Sequence, residues 1–386
     1  MDNKNIFSSD FTLGILGGGQ LGKMLLYTTR KWDIKTSVLD PSEEAPCKIA
    51  ANYFEQGSLM DFETVYNFGK KVDVLTIEIE HVNIEALKKL QSEGIVIHPK
   101  PEMLEIIQNK GIQKQFYTDN NIPTAPFTKF NNTDELKDAV KNGKQDLPFV
   151  WKSTQFGYDG MGVSVIKDEE QLASLADGEC IAEALIPFKN ELAVIVATNN
   201  NGDSVSYPVV EMEFHPTANQ VEYVICPARI DDDVAEKARK IAIDTAKKLG
   251  STGLLAVEMF QTKNDEIIVN EVAPRPHNSG HYSIEASYTS QYEQHIRAIL
   301  DLPLGKTDSK VGGVMVNLVG EEGFTGNVVY DGINEILGMP GVTPHIYGKK
   351  ETRPFRKMGH VTVVDDDLSK AREVAEKVKK TIRVVC

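Results

Sequence analysis

Two acidic residues in the second half of the chain are spaced to face each other. The run from Leu254 to Val272 reads as two strands around a polar turn at Asn264-Asp265. Counting outward from a two-residue turn sets Glu258 opposite Glu271, on one face of the hairpin. Carboxylates with Cβ atoms ~5 Å apart repel each other, and a bound cation removes that cost. Hard oxygen donors at this separation suit one or two Mg²⁺ ions, with Mn²⁺ as a substitute, completing their shells with phosphate oxygens. Asn270 adds a neutral oxygen beside them. The same spacing also describes an exposed acidic hairpin face, and the pattern alone leaves both readings open.

Three other segments carry chemistry. The loop Gly157-Tyr158-Asp159-Gly160-Met161-Gly162 joins two apolar runs, and Lys152 ends the first of them. Glycines let backbone N–H groups close over phosphates, with the lysine as a point charge. The loop lacks the G-K-[ST] ending and the helix of a Walker A motif, so it also reads as a plain hairpin turn. In NEVAPRPHNSGHYSIEAS, Asn270 to Ser287, a proline-stiffened loop carries Arg275, His277, Asn278, Ser279 and His281. Such a loop builds an anion site better than a core. His277 and His281 could share a metal, but Gly280 and the prolines oppose a single helix presenting both, so hydrogen-bonding roles rank above ligation. Near the other end, Lys349, Lys350, Arg353, Arg356 and Lys357 form either a solvated basic loop or a pocket for a phosphomonoester.

The first hundred residues must position part of this chemistry, and they alternate strand and helix. FTLGILG, KTSVLD, DVLTIEIE and IVIHP are strands, with QLGKMLLYTTRKW and IEALKKLQSEG as helices between them, which predicts βαβ units and a parallel sheet. Gly17 to Gly22 satisfies G-x-G-x-x-G between strand and helix, and Asp40 closes the next strand. That is the dinucleotide fingerprint, and by itself it points to an NAD-dependent dehydrogenase. An NAD site leaves the Glu258/Glu271 pair and the second glycine loop unexplained. Beyond Pro101 come one or two polar helices, further strands, and the periodic helix VAEKARKIAIDTAKKLG, stopped at Gly250. A basic segment and a last helix, LSKAREVAEKVKKTI, follow.

The bulk properties bound these readings. A chain of 386 residues predicts two or three domains. The net charge of −14 argues against general nucleic-acid or anionic-membrane binding. Four scattered cysteines fit a reducing, cytoplasmic compartment and form no zinc signature. The amino terminus has no signal-peptide h-region, and no run reaches the ~18 apolar residues that cross a bilayer.

Taken in order, GGGQLGKM, GYDGMG, NEVAPRPHNSGHYSIEAS and HIYGK…RKMGH resemble one family along nearly the whole chain. That family is the N5-carboxyaminoimidazole ribonucleotide synthetases, ATP-grasp enzymes of purine biosynthesis. The resemblance implies an α/β and α+β chain with the ATP-grasp fold. A Rossmann-like pre-ATP-grasp domain would occupy 1–105. An ATP-grasp domain would occupy 106–305, with its lid at about 125–190, and a small C-terminal domain 306–386. It implies ATP and Mg²⁺, aminoimidazole ribonucleotide and bicarbonate as small-molecule substrates, and a homodimer. Carried over by position, Lys110 and Lys152 would grip the ATP phosphates and Gly157 to Val163 would cover them. The hinge Glu183-Ala184-Leu185-Ile186 would meet adenine, Glu191 the ribose, and His215 a further part of the nucleotide, with Asn270 and Glu271 beside it. Glu258 and Glu271 would hold the metal. Arg275, Asn270, His277 and Asn278 would hold bicarbonate and the transferring phosphoryl group. Gln20, Leu21, Glu78, Glu80, Tyr158, Asp159, Lys349 and Arg356 would surround the ribonucleotide, the last two on its phosphate. Another ATP-grasp ligase, such as formate-dependent glycinamide ribonucleotide transformylase, is the nearest alternative.

Overall fold

The computed structural model describes residues 5–154, 162–215 and 220–386. Its first sheet is parallel: β1 (Thr12–Leu16), β2 (Lys35–Asp40), β3 (Tyr53–Gln56), β4 (Val74–Ile77) and β5 (Val96–His98), in the order β3-β2-β1-β4-β5. The edge strand β3 and the helix Phe62–Gly69 are additions to the sequence reading. The short, half-exposed YFEQ of β3 carries no apolar run to announce it. Glycine at 17, with φ of 97°, turns β1 into helix α1 (Gln20–Lys31). The strand order diverges at β1 and β4, so the crevice beyond their carboxyl ends lies between the glycine turn and the segment after Ile77.

A second, antiparallel sheet holds β6 (Phe127–Phe130), β7 (Phe149–Ser153), β8 (Val163–Ile166) and β9 (Cys180–Ala184), in the order β6-β9-β7-β8. Phe149, Trp151, Cys180 and Ala182 fill its core. Strand alternation therefore turns Lys152 and Glu183 to the opposite face.

The third sheet is the largest. It is built from β10 (Phe188–Thr198), β11 (Ser204–Ser206), β12 (Val210–Phe214), β13 (Val221–Cys226), β14 (Gly253–Thr262), β15 (Ile267–Ala273) and β16 (Gly312–Val319), followed by the strands Val342–Ile346 and Lys357–Asp365. The helix Asp232–Lys248 lays Val234, Ala238, Ala242 and Ala246 on Leu192, Val194, Val196, Leu255 and Val257. One face is thereby sealed, and the other is left for chemistry. The segment expected to begin a separate domain at 306 supplies β16, which hydrogen-bonds to β13 from Tyr223↔Val316 to Cys226↔Gly313. The sheet runs unbroken into the carboxyl-terminal part. No helix among the described residues is long and apolar enough to cross a membrane.

The first sheet is fused to the third through the helix Gln291–Ile299. Leu13, Ile15 and Leu25 share one apolar cluster with Tyr292, Ile296 and Ile299. His295 of that helix pins the joint. Its Nδ1 accepts from the Leu254 N–H at 3.2 Å, and its Nε2 lies 2.9 Å from Thr76 Oγ1 on β4. An accepting Nδ1 places the single ring proton on Nε2, so the ring is neutral and donates to Thr76. Burial, with His98 adding a little, holds its pKa down to about 3. The unfolded imidazole titrates near ~6.5. The contribution is therefore complete above that pH and erodes as pH falls from ~6.5 toward the folded value. A His295→Gln variant should unfold more easily at neutral pH but lose less stability than the parent between about pH 7 and pH 5, the difference approaching ~1.4 kcal/mol per pH unit. Denaturant titrations at several pH values check this, and parallel slopes for the two proteins would refute it.

Candidate active site

The β14–β15 hairpin brings Glu258 directly opposite Glu271, as the sequence reading expects, but by a different route. The turn contains three residues, with Thr262 N–H bonded to Glu266 C=O and Asp265 at a φ of 60°. Residues Gln261 to Met259 are thus one place out of the expected register. A bulge at Asn270 restores it, so that Glu258 meets Glu271. The bulge also explains how Val269 and Val272, three apart, both enter the core beneath the sheet. An extra residue lets two successive side chains, Asn270 and Glu271, point to the same chemical face.

Lysines converge on that face from a helix and from the second sheet. The polar stretch after Pro101 forms two helices, broken at Asn109, whose side chain caps the second, Lys110–Asp119, by accepting from the Ile112 N–H at 3.0 Å. Lys110, the first residue of that helix, is paired with Glu271. Lys152 reaches Asn270 Oδ1 at 3.0 Å and Glu183 at 3.0 Å. A third lysine, Lys114, is only 1% exposed and shares Glu183 at 3.2 Å while donating to Thr124 Oγ1 at 2.7 Å. The sequence reading missed it. Its signal was the four-residue spacing from Lys110, which stacks both on one helix face. Burial draws the Lys114 ammonium down to about 8 against the pull of Glu183. Lys110 holds the Glu271 carboxyl down to about 2. Nearby on β10, burial and then Glu258 push Glu191 up to about 8.

The loop after β15 spans the gap to the first sheet. Arg275 Nε lies 2.9 Å from Glu80, just beyond β4. Two residues further on, His277 Nε2 lies 3.1 Å from Glu258. Asn278 exchanges two amide hydrogen bonds with Asn317 of β16, at 2.8 and 2.9 Å. His281 turns away from this face. It is buried, faces the Tyr292 hydroxyl at 2.9 Å, and packs its ring 4.6 Å from that of His360, so it shares no ligand position with His277.

The amino-terminal glycine turn departs from the dinucleotide reading. Glu78 occupies it from within the chain, accepting from the Gly19 and Gly22 N–H groups at 2.8 Å each. A Cβ at Gly17 would lie 2.4 Å from Glu78 Cγ, and one at Gly19 would lie 2.5 Å from Glu78 Oε1. These glycines therefore make room for a carboxylate of the chain itself. Asp40 is likewise engaged, accepting from the Gly18 N–H at 2.7 Å and the Ser42 N–H at 2.8 Å. A pyrophosphate at this helix end would meet negative charge where the fingerprint needs open donors.

The structure places the other residues of the sequence reading as follows. Leu21 is buried in the core of the first sheet, so its side chain packs rather than recognises; Gln20, beside it, is half-buried at the start of α1. The Glu183 carboxylate is held between two lysines, and the Ala184 N–H donates to Pro126, which leaves the following Leu185-Ile186 segment as the accessible stretch of the hinge. His215 hydrogen-bonds Gln220 through its backbone and meets the Phe355 ring edge-on at 6.3 Å. Lys349 Nζ donates to the Lys357 carbonyl at 2.7 Å, and Arg356 to the Glu351 carbonyl at 2.6 Å. Lys23 of α1, also missed from sequence, donates to the Ile346 carbonyl at 2.9 Å and brings this basic segment alongside the glycine turn. Gly157, Tyr158, Asp159, Gly160 and Met161 lie outside the described residues, while Gly162 and Val163 lead into and begin β8.

Two opposed carboxylates and one amide oxygen fit a hard divalent cation that keeps oxygen ligands from water and phosphate. No group of three or more His, Cys, Asp or Glu side chains suited to a metal occurs among the described residues.

Comparison with known proteins places these features in context. Residues 11–108 match the ribonucleotide synthetase preATP-grasp domain, 115–292 the ATP-grasp domain, and 313–374 the phosphoribosylaminoimidazole carboxylase C-terminal domain. The chloroplastic phosphoribosylaminoimidazole carboxylase of Vigna aconitifolia is 40% identical over 93% of this chain, which spans 65% of that protein's length. The N5-carboxyaminoimidazole ribonucleotide synthetase of Thermotoga maritima superposes with a TM-score of 0.89 at 44% identity, covering 97% of this chain and 99% of that one. The N5-carboxyaminoimidazole synthase of Aspergillus clavatus, solved with ADP and 5-aminoimidazole ribonucleotide, gives 0.86 at 32% identity, covering 96% and 98%.

The glycine turn yields a test. Glu78→Gln replaces one accepting oxygen by an amide nitrogen, which cannot accept, at a cost of about 2 kcal/mol. Hydrogen exchange at Gly19 and Gly22 should quicken and the unfolding midpoint should fall. Unchanged exchange at both amides would remove Glu78 from the helix end.

Proposed function

This chain belongs to the N5-carboxyaminoimidazole ribonucleotide synthetase family of ATP-grasp enzymes, and on that premise we propose that it carboxylates the exocyclic amine of 5-aminoimidazole ribonucleotide, using ATP and bicarbonate. The observation that carries this reading is the span of a single loop. Arg275 meets Glu80 at 2.9 Å on the first sheet, while His277 meets Glu258 at 3.1 Å on the third. A crevice suited to one substrate and a carboxylate pair suited to phosphoryl transfer are thereby joined within three residues.

Bicarbonate is a weak electrophile and must first be activated. One of its oxygens attacks the γ-phosphorus of ATP. The new O–P bond replaces the bond to ADP and yields carboxyphosphate. The amine nitrogen then takes the carboxyl carbon, the C–O bond to phosphate breaks, and the amine loses a proton. Both steps bring anions together, so most of the task is neutralising and positioning charge. Lys110 and Lys152 would turn from Glu271 and Asn270 toward phosphate oxygens. Lys114 would stay with Glu183, so that releasing Lys152 does not strand a buried carboxylate. Glu258 and Glu271 would hold Mg²⁺, which when bound offsets phosphate charge during transfer. Arg275 and the His277-Asn278 segment would orient bicarbonate, and Lys349 and Arg356 would hold the ribonucleotide phosphate. A cytoplasmic homodimer completes the reading that the resemblance carries.

ADP formation by the purified protein should require bicarbonate and rise with aminoimidazole ribonucleotide. ADP release indifferent to both would sink the proposal. Glu271→Gln should lower turnover by more than about 100-fold. Because Glu271 is held by Lys110, its removal strands a lysine instead of relieving a repulsion, and a modest fall in thermal midpoint should accompany the lost activity.

A further inference from the structure

Gln291 is fully buried at the start of the helix Gln291–Ile299, and its side chain is turned toward the active loop. Its Oε1 accepts from the His277 N–H at 2.9 Å, and its Nε2 donates to the His277 C=O at 2.8 Å. One side-chain amide thus pairs with both backbone groups of one residue, as a neighbouring strand would. The clamp is itself fixed. The Gln291 N–H donates to Ser283 Oγ at 2.9 Å, and Nε2 lies 3.1 Å from Nδ1 of buried His281. The loop is shaped to admit it, since a Cβ at Gly280 would lie 2.5 Å from Gln291 Oε1.

Ser279 decides which proton His277 offers, and the clamp decides where the residue stands. The Ser279 N–H points at His277 Nδ1 at 3.3 Å, and Ser279 Oγ lies 2.9 Å from the same nitrogen. A backbone N–H can only donate, so Nδ1 accepts and the proton of the neutral ring sits on Nε2. That proton faces Glu258 Oε1 at 3.1 Å. A carboxylate pinned from behind presents its remaining lone pairs in a fixed direction, the arrangement by which outer partners orient metal ligands.

We infer that Gln291 is a positioning residue. By clamping the His277 backbone it holds the imidazole, whose Nε2–H form Ser279 sets, in place against Glu258 and so orients that carboxylate for the divalent cation of Mg·ATP. The inference rests on the proposed reading of Glu258 as a metal carboxylate. Two variants and one measurement on the parent protein test it. Gln291→Leu removes both halves of the clamp; Gln291→Glu keeps the acceptor for the His277 N–H and loses the donor. Calorimetry should show Mg²⁺-dependent ADP binding weakened about tenfold in Gln291→Leu and less in Gln291→Glu. ADP binding without metal and aminoimidazole ribonucleotide binding should be unchanged. Ring ¹⁵N shifts of His277 in the parent should report Nε2–H, a readout that needs no variant to fold. Nδ1–H in the parent, unaltered Mg²⁺ dependence in both variants, or equal loss of metal-free ADP binding would each overturn the inference. These readouts involve no turnover. A parent protein without bicarbonate-dependent activity would therefore count against the proposed reaction and leave the clamp to be judged separately.

Discussion

The ion pair between Lys110 and Glu271 is the constraint on which the remaining architecture turns. A carboxylate kept charged at the face of a sheet, with a second carboxylate directly across from it, needs a cation at hand. The chain supplies one from the first position of a helix. The break at Asn109, whose side chain caps the following helix, sets Lys110 at its first position. The need for a cation also explains why the lysines come as a set. Lys152 serves Asn270 and Glu183 together, and Lys114 gives Glu183 a second partner, so the Glu183 charge does not depend on a single neighbour. Buried ions persist only in such shared arrangements, since an unpaired one costs several kcal/mol. An anionic substrate then enters by exchanging partners, without any bare charge having to be created.

Much of this site was legible in the chain before its geometry was described. Strand periodicity and glycine punctuation located the parallel sheet, and hairpin counting paired Glu258 with Glu271. That pairing came out right through two offsets that cancel, a longer turn and a bulge. Neither leaves a strong mark in sequence, because Asp265 can adopt a positive φ and Asn270 looks like any strand residue. The glycine fingerprint was read correctly as a strand–turn–helix and wrongly as an open anion site. The competing anion, Glu78, stands far along the chain, and only the adjacency of β1 and β4 brings it to the turn. Gln291 had no signal at all: a glutamine opening an amphipathic helix looks like a solvent residue until the fold buries it. Local patterns report elements, while partners chosen across sheets appear only once the sheets are placed.

The joints between the parts are unequal. The parallel sheet shares its apolar core with the helix Gln291–Ile299, and His295 bonds across the seam. The large sheet continues without interruption through β16 to Val342–Ile346. Between these, the loop from Arg275 to Asn278 is tied at each step, to Glu80, to Glu258 and to Asn317. By contrast, the four-stranded sheet carrying Lys152 and Glu183 has its own small core; a short link, Leu185, Ile186 and Pro187, joins it to β10, and the Lys110 N–H to Thr154 C=O bond at 3.0 Å and the Lys114–Glu183 pair at 3.2 Å tie it to the helix Lys110–Asp119.

That short tether sets a division of labour. Everything proposed to align bicarbonate with the amine is mounted on one stiff frame, while one of the two lysines proposed to grip the nucleotide rides on an outrigger. Swinging the outrigger would tighten or loosen the grip on ATP and leave the spacing between the other two reactants untouched. The hydrogen bond from Lys152 to Asn270 crosses from outrigger to frame, and its length is a built-in gauge of how far the clamp has swung.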